Sequence, residues 1–94
     1  MTEDEIQKEV LRIAVSEIGK KNVASASVKP DVDFDGTEAL EILVVLKPDA
    51  PSVSGKTYIA VLLKARDFLY AQEDERRPSL ALNRAPRARV ATSR

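Results

Sequence analysis

Residues 38–47, Glu-Ala-Leu-Glu-Ile-Leu-Val-Val-Leu-Lys, decide the fold of this chain. The even positions from 40 to 46 are all Leu, Ile or Val, which makes one face of an extended segment continuously apolar. Leu43 and Val45 add apolar side chains to the opposite face. A strand that is apolar on both faces is typical of the centre of a sheet whose second face is partly covered. We therefore predict that this stretch is the central strand.

The residues before it predict a partner strand from Val23 to Phe34. Apolar side chains occupy its even positions and polar side chains its odd positions, which is typical of a strand with one wet face. Pro30 has no backbone N–H group to contribute to a sheet. This strand is therefore expected at an edge of the sheet or at a bulge.

The loop between the two strands fixes their register. A two-residue Asp-Gly turn would direct the two apolar sets to opposite faces of the sheet. A loop with an odd number of residues, such as 35–37 with glycine in a bulge, keeps both sets on one face. The register predicted from that loop places Val32 opposite Leu40 and Val28 opposite Val44.

Two amphipathic helices are predicted around this strand pair. The first runs from Thr2 to Ile18, and Thr2 with Glu5 fits a capping box at its start. The second runs from about Ser54 to Gln72, with Ser54 as its N-cap. The apolar band of the second helix is wider than one sheet face requires, which indicates a second buried contact.

A short third strand over residues 79–83 completes the order α-β-β-α-β. A right-handed crossover through the second helix makes the second and third strands parallel neighbours. The sequence thus predicts an α+β fold: a two-layer sandwich in which both helices lie on one face of a three-stranded sheet with strand two central. Residues 1–83 form the single domain of this prediction, and 84–94 form a basic, disordered tail.

Composition narrows the classes of function. The chain has 94 residues, a formal net charge of zero, and neither Cys nor His. Thiol nucleophiles and disulfides are excluded, and the commonest metal ligand and general base are missing. The acidic N-terminus lacks the features of a signal peptide, and no apolar run reaches the roughly 18 residues of a membrane span. We expect a cytoplasmic protein that is not an enzyme, has no cofactor and does not contact the membrane.

An acidic stretch matches half of a calcium-binding loop. Asp31, Asp33 and Asp35, followed by a glycine, stand at the spacing of the first oxygen ligands. Glu38 and Ile42 then occupy the positions where that loop needs an apolar residue and a bidentate Glu. Alternating Asp residues are also typical of the solvent face of a strand. We interpret the stretch as strand and turn, and keep a calcium-dependent module as a further alternative.

Residues 50–57, Ala-Pro-Ser-Val-Ser-Gly-Lys-Thr, fit a relaxed phosphate-loop pattern between a strand and a helix. Pro51 removes one of the amides that would bind phosphate, and three strands are too few for the parallel sheet of such enzymes. Ser54 as a helix N-cap explains the serine without a nucleotide. We do not predict nucleotide hydrolysis.

Protein–protein contact is the leading hypothesis. An uncovered sheet face and an over-wide helix band are features that a second copy or another chain commonly covers. We expect a non-catalytic interaction module, either a homodimer or the small subunit of a bacterial complex. The interface candidates are Leu43, Val45, Phe68 and Tyr70.

The alternative is an RNA-associated or ribosome-associated protein. Its candidate contacts are the basic residues Arg84, Arg87 and Arg89 of the tail, together with Lys20, Lys21 and Lys29. The chain before the tail is net acidic and has few aromatic residues for base stacking. Nucleic acid is therefore a possible partner but not the favoured one.

Overall fold

Two helices pack on one face of a three-stranded sheet, as the sequence predicts. The computed structural model describes residues 2–86. β2 is the central strand, with β1 antiparallel to it on one side and β3 parallel to it on the other. The predicted α+β fold is confirmed. The elements are α1 (Glu3–Ile18), a 3₁₀ turn (Lys20–Asn22), β1 (Val23–Val32), β2 (Glu38–Leu46), α2 (Gly55–Ala71) and β3 (Arg77–Arg84).

The even positions of β2 form the base of the core. Leu40, Ile42 and Val44 are fully buried beneath the helices. Burying a Leu, Ile or Val side chain contributes about 1.5–3 kcal/mol, so this row is the main attachment of the helical layer. The helices and β3 add Ile6, Val10, Ile13, Ala14, Val61, Ala65, Leu69 and Leu80 to the core. β1, the end of β2 and the following loop add Val23, Ala26, Leu46 and Ala50.

The helix starts are as predicted. The Thr2 side chain accepts a hydrogen bond from the amide of Glu5, whose carboxylate accepts one from the Thr2 amide, which is a complete capping box. Ser54 is the N-cap of α2 and accepts from the amide of Thr57 at 3.1 Å. Neither helix within residues 2–86 combines the length and apolar character needed to cross a membrane.

The β1–β2 register differs from the prediction by two residues. The loop is odd-numbered, as predicted, but Val28 lies opposite Ile42 rather than Val44, and Val32 lies opposite Glu38 rather than Leu40. A three-residue loop of this type needs its left-handed residue in the last position. Gly36, at φ 87°, fills that position. The amide of Asp33 donates to the carbonyl oxygen of Thr37 at 2.8 Å and closes a loop of residues 34–36 rather than 35–37. The regular pairing of β1 ends at residue 32 rather than at the predicted 34.

The two edge strands each have a distinguishing feature: β1 contains a β-bulge, and β3 is longer than predicted. In β1, Ala24 is an extra residue between the pairs Val23–Leu46 and Ser25–Val45, which is a β-bulge. The other edge strand, β3, pairs with β2 along residues 77–84 and is longer than the predicted 79–83. Because β3 is an edge strand, it tolerates a proline at position 78.

Candidate interaction surfaces

The face of the sheet that carries no helix has a narrow apolar centre. Leu43 and Val45 lie half-buried in the middle of this face on β2. Leu43 is flanked by Ser27 on β1 and Ala81 on β3, whereas Val45 is flanked by Ser25 and Asn83. These two predicted interface residues therefore stand in a surface of small and polar side chains.

The outward face of α2 presents a larger apolar surface. Ile59, Leu63 and Tyr70 are 53%, 41% and 82% exposed. Their spacing places them with Arg66 on one side of the helix, away from the buried residues at 61, 65 and 69. We call Ile59, Leu63, Arg66 and Tyr70 the outer stripe.

The predicted candidates on α2 divide between its two sides. Tyr70 belongs to the outer stripe, whereas Phe68 is half-buried and packs against the core. Ile59 and Leu63 were not among the predicted candidates. The width of the apolar band was the signal that could have identified them, because at 3.6 residues per turn they project from the side opposite the core.

The three aspartates of the β1–β2 hairpin have partners within the hairpin or on β3: two accept hydrogen bonds from backbone amides and one forms an ion pair. Asp35 Oδ1 accepts from the Thr37 amide at 3.1 Å, which lowers the pKa of Asp35. Asp33 Oδ2 lies 3.3 Å from Arg77 Nη1, an ion-pair distance without hydrogen-bond geometry. Asp31 Oδ1 accepts from the amide of the next residue at 2.8 Å. Between residues 2 and 86, no three acidic side chains converge as a metal site would require.

Arg84 holds the loop between β2 and α2. Its guanidinium donates to the carbonyl oxygens of Lys47 at 3.3 Å, Pro48 at 3.2 Å and Ala50 at 2.5 Å. This arginine is the last residue of β3 rather than the first residue of a free tail. The other two predicted nucleic-acid contacts, Arg87 and Arg89, lie outside the described residues.

Asp74 and Arg76 form an ion pair just after α2. Arg76 Nη2 lies 2.7 Å from Asp74 Oδ2, and both side chains are about four-fifths buried. The hydrogen bonds from Arg76 lower the pKa of the Asp74 carboxyl group. The same bonds raise the pKa of Arg76, and the nearby carboxylates of Glu3 and Glu38 act in the same direction. The α1 N-terminus, the start of β2 and the segment after α2 therefore meet at this end of the sheet.

Charge is separated between the two ends of the molecule, although the formal net charge is zero. Thr37, Glu38 and residues 72–76 line one cleft at the hairpin end. At the opposite end, Lys21 and Lys47 line a second cleft. The hairpin end carries Glu3, Asp4, Glu5, Asp31, Asp33, Asp35, Glu38, Glu73, Asp74 and Glu75 with Arg76 and Arg77. The opposite end carries Lys20, Lys21, Lys47, Lys56 and Arg84 with Glu17 and Asp49.

No protein-family model matches this chain, and no curated protein or solved structure shows significant similarity to it.

Proposed function

We propose that this chain is a non-catalytic, cytoplasmic protein–protein interaction module that binds its partner through the outer stripe of α2. The observation that carries the proposal is the exposure of Ile59, Leu63 and Tyr70 together on one helix side. A tyrosine flanked by aliphatic side chains is a typical interface anchor, because its ring buries apolar area and its hydroxyl keeps a hydrogen-bonding group. The absence of Cys and His supports a non-catalytic role.

The outer stripe is favoured over the uncovered sheet face. The sheet face has only Leu43 and Val45 as large apolar side chains, and both are already half-buried by their neighbours. Further burial of half-covered side chains removes less apolar area from water, and the surrounding serines would have to lose hydration. The three apolar residues of the outer stripe stand further out and would gain more from a partner.

The structure of α2 suits it to this role. Ser54 fixes the start of the helix, and Tyr58 Oη donates to the carbonyl oxygen of Leu80 at 2.6 Å. The Lys64 ammonium group also lies 2.5 Å from a carboxylate oxygen of Glu17 on α1. A helix that is already formed and attached loses little conformational entropy on binding, so more of the contact free energy is expressed as affinity.

A site-specific photocrosslink tests the proposal. A benzophenone-bearing phenylalanine in place of Tyr70 is close to tyrosine in shape and reacts only with groups it touches. The matched control carries the same group at Ser16, an exposed position on α1. We expect irradiation of living cells to give one discrete adduct from position 70, absent from position 16 and lost when Ile59→Lys is added. No adduct above the control would overturn the proposal.

One observation supports the alternative of nucleic-acid binding. Lys20, Lys21 and Lys47 lie at the sheet end where β3 finishes, and Arg87 and Arg89 follow β3 in the sequence. A salt titration of RNA binding, with the full chain and with a chain ending at Pro86, tests this role. Truncation at 86 retains the structural contacts of Arg84. Binding that is absent or independent of salt in the full chain would remove the alternative.

A further inference from the structure

Resting on the proposed function, we infer that the partner of the outer stripe is a second copy of this chain. The two α2 helices pack antiparallel about a two-fold axis that passes between Leu63 and Arg66. Three features support this arrangement: the order of side chains along α2, the separation of charge between the ends of residues 2–86, and the backbone conformation of Glu73.

The outer stripe continues at both ends into a charged residue. A step of three residues leads from Ile59 back to Lys56 and another from Tyr70 on to Glu73, both of which are exposed, so the row alternates steps of three and four residues. This is the spacing of the a and d positions at which two helices meet side by side. Glu73 lies just past the helix, next to its C-cap. The contact row is therefore basic at its start, mostly apolar in the middle and acidic at its end.

That order of residues is complementary to itself in one orientation only. In an antiparallel pair, Ile59 meets Tyr70 of the second copy, and Leu63 meets the aliphatic stem of its Arg66. Lys56 then meets Glu73 of the second copy, so opposite charges are adjacent at both ends. A parallel pair would place each of these residues against itself, and three of the contacts would join like charges, which is destabilising.

The distribution of charge over residues 2–86 favours the same orientation. Because α2 runs from the basic end towards the acidic end, antiparallel packing places the basic end of each copy beside the acidic end of the other. Complementary potentials of this kind steer association and select orientation. About a two-fold axis, each charged end of one copy lies beside the oppositely charged end of the other. No charged end is then left for a third chain, so the assembly closes at two chains.

The backbone at Glu73 adds an independent observation. The chain leaves α2 with the amide of Asp74 donating to the carbonyl oxygen of Leu69 and the amide of Glu73 donating to that of Tyr70, each at 2.9 Å. This turn holds Glu73 at φ 60°, and within residues 2–86 no other non-glycine residue has a positive φ. Glycine is the usual residue there, because a side chain is unfavourable in this conformation. A carboxylate at this position is consistent with a binding role. In the inferred dimer, the group that it binds is Lys56 of the second copy.

A charge-reversal cycle tests the inference. The dissociation constant of the dimer is measured by sedimentation equilibrium for the unmodified chain, Lys56→Glu, Glu73→Lys and the double variant. Each single reversal replaces two attractive contacts per dimer by two repulsive ones and is expected to weaken the dimer about tenfold. The double variant restores both contacts and should return close to the affinity of the unmodified chain. Lys8→Glu, a reversal on exposed α1 surface, should have little effect.

Three results would overturn the inference. They are a chain that stays monomeric at high micromolar concentration, a double variant as weak as the single ones, and a mass that grows past two chains. Circular dichroism verifies that each variant is folded before it is compared. The photocrosslink at position 70 separates the two proposals: an adduct with a different protein supports the interaction module and overturns the second copy, whereas no adduct overturns both.

Discussion

The hydroxyl group of Tyr58 donates a hydrogen bond to the carbonyl oxygen of Leu80 at 2.6 Å. Tyr58 lies in the first turns of α2, and Leu80 lies in the middle of the edge strand β3. The bond joins the helix to an edge strand and satisfies a backbone acceptor in a part-buried position. It also fixes the rotation of α2 near its start, and with it the direction in which the outer stripe points.

We expect Tyr58→Phe to lower the free energy of unfolding by about 1 kcal/mol, because the Leu80 carbonyl group loses its partner while the packing of the ring is retained. Urea denaturation of the monomer at low concentration measures the change. Tyr70→Phe makes the same chemical change at an exposed position and should leave stability unaltered. Equal effects of the two substitutions would show that the bond to Leu80 contributes nothing.

Arg84 is expected to stabilise the fold, although it begins a run of basic residues in the sequence. Arg84→Ala should lower the free energy of unfolding by about 1 kcal/mol, since the carbonyl oxygens of residues 47, 48 and 50 lose a shared charged donor. Arg84→Lys keeps the charge but not the planar group, so its free energy of unfolding should lie between those of the unmodified chain and of Arg84→Ala. An Ala variant as stable as the unmodified chain would contradict the structural role of this arginine.

Glu73→Gly should have opposite effects on folding and on association. It relieves an unfavourable positive φ, so the monomer should gain about 0.5–1 kcal/mol of stability. It also removes the charge inferred to meet Lys56 and should weaken self-association. Glu75→Gly is the matched control and should show no gain in stability. A loss of monomer stability in the Glu73 variant would contradict the strained geometry.

Stability should fall in acid partly because of Asp74. Its pKa in the folded protein is lowered by hydrogen bonds from Arg76, so the unfolded chain binds a proton more readily than the folded one. The contribution is therefore present above the unfolded pKa of about 3.9 and is lost as the pH falls through the lower folded value. The free energy of unfolding, measured by urea denaturation at a series of pH values from neutral to strongly acidic, should fall less steeply with decreasing pH for Asp74→Asn. Arg76→Ala should reduce the slope to a similar extent. A slope unchanged by both substitutions would contradict the assignment.

The strand and helix pattern was predictable because burial imposes a period. The alternation in residues 38–47 fixed the central strand, and the three-residue and four-residue spacing of apolar side chains fixed both helices. The β1–β2 register was only partly predictable. Alternation sets which face each residue occupies, and a shift of two residues leaves that unchanged. Several registers, which differ by two residues, therefore fit the alternation. The preference of Gly36 for the last loop position selected one of them.

The surfaces were less predictable than the fold. Leu43 and Val45 were placed on the uncovered sheet face correctly, but the sequence did not show how far their neighbours cover them. The bonding of Arg84 depended on a loop 34 residues away in sequence, which no local pattern describes. The self-complementarity of α2 required knowledge of which helix side faces the core. It is therefore a property of the folded chain.

The most direct test is a comparison of backbone amide chemical shifts in the ¹⁵N-labelled chain from micromolar to millimolar concentration. One measurement detects association and shows which residues take part. We predict concentration-dependent shifts along α2 from Lys56 to Glu73, strongest near Leu63, with Leu43, Val45 and Ala81 unchanged. Shifts centred on those three sheet residues, or spectra that do not change with concentration, would contradict a self-associating α2.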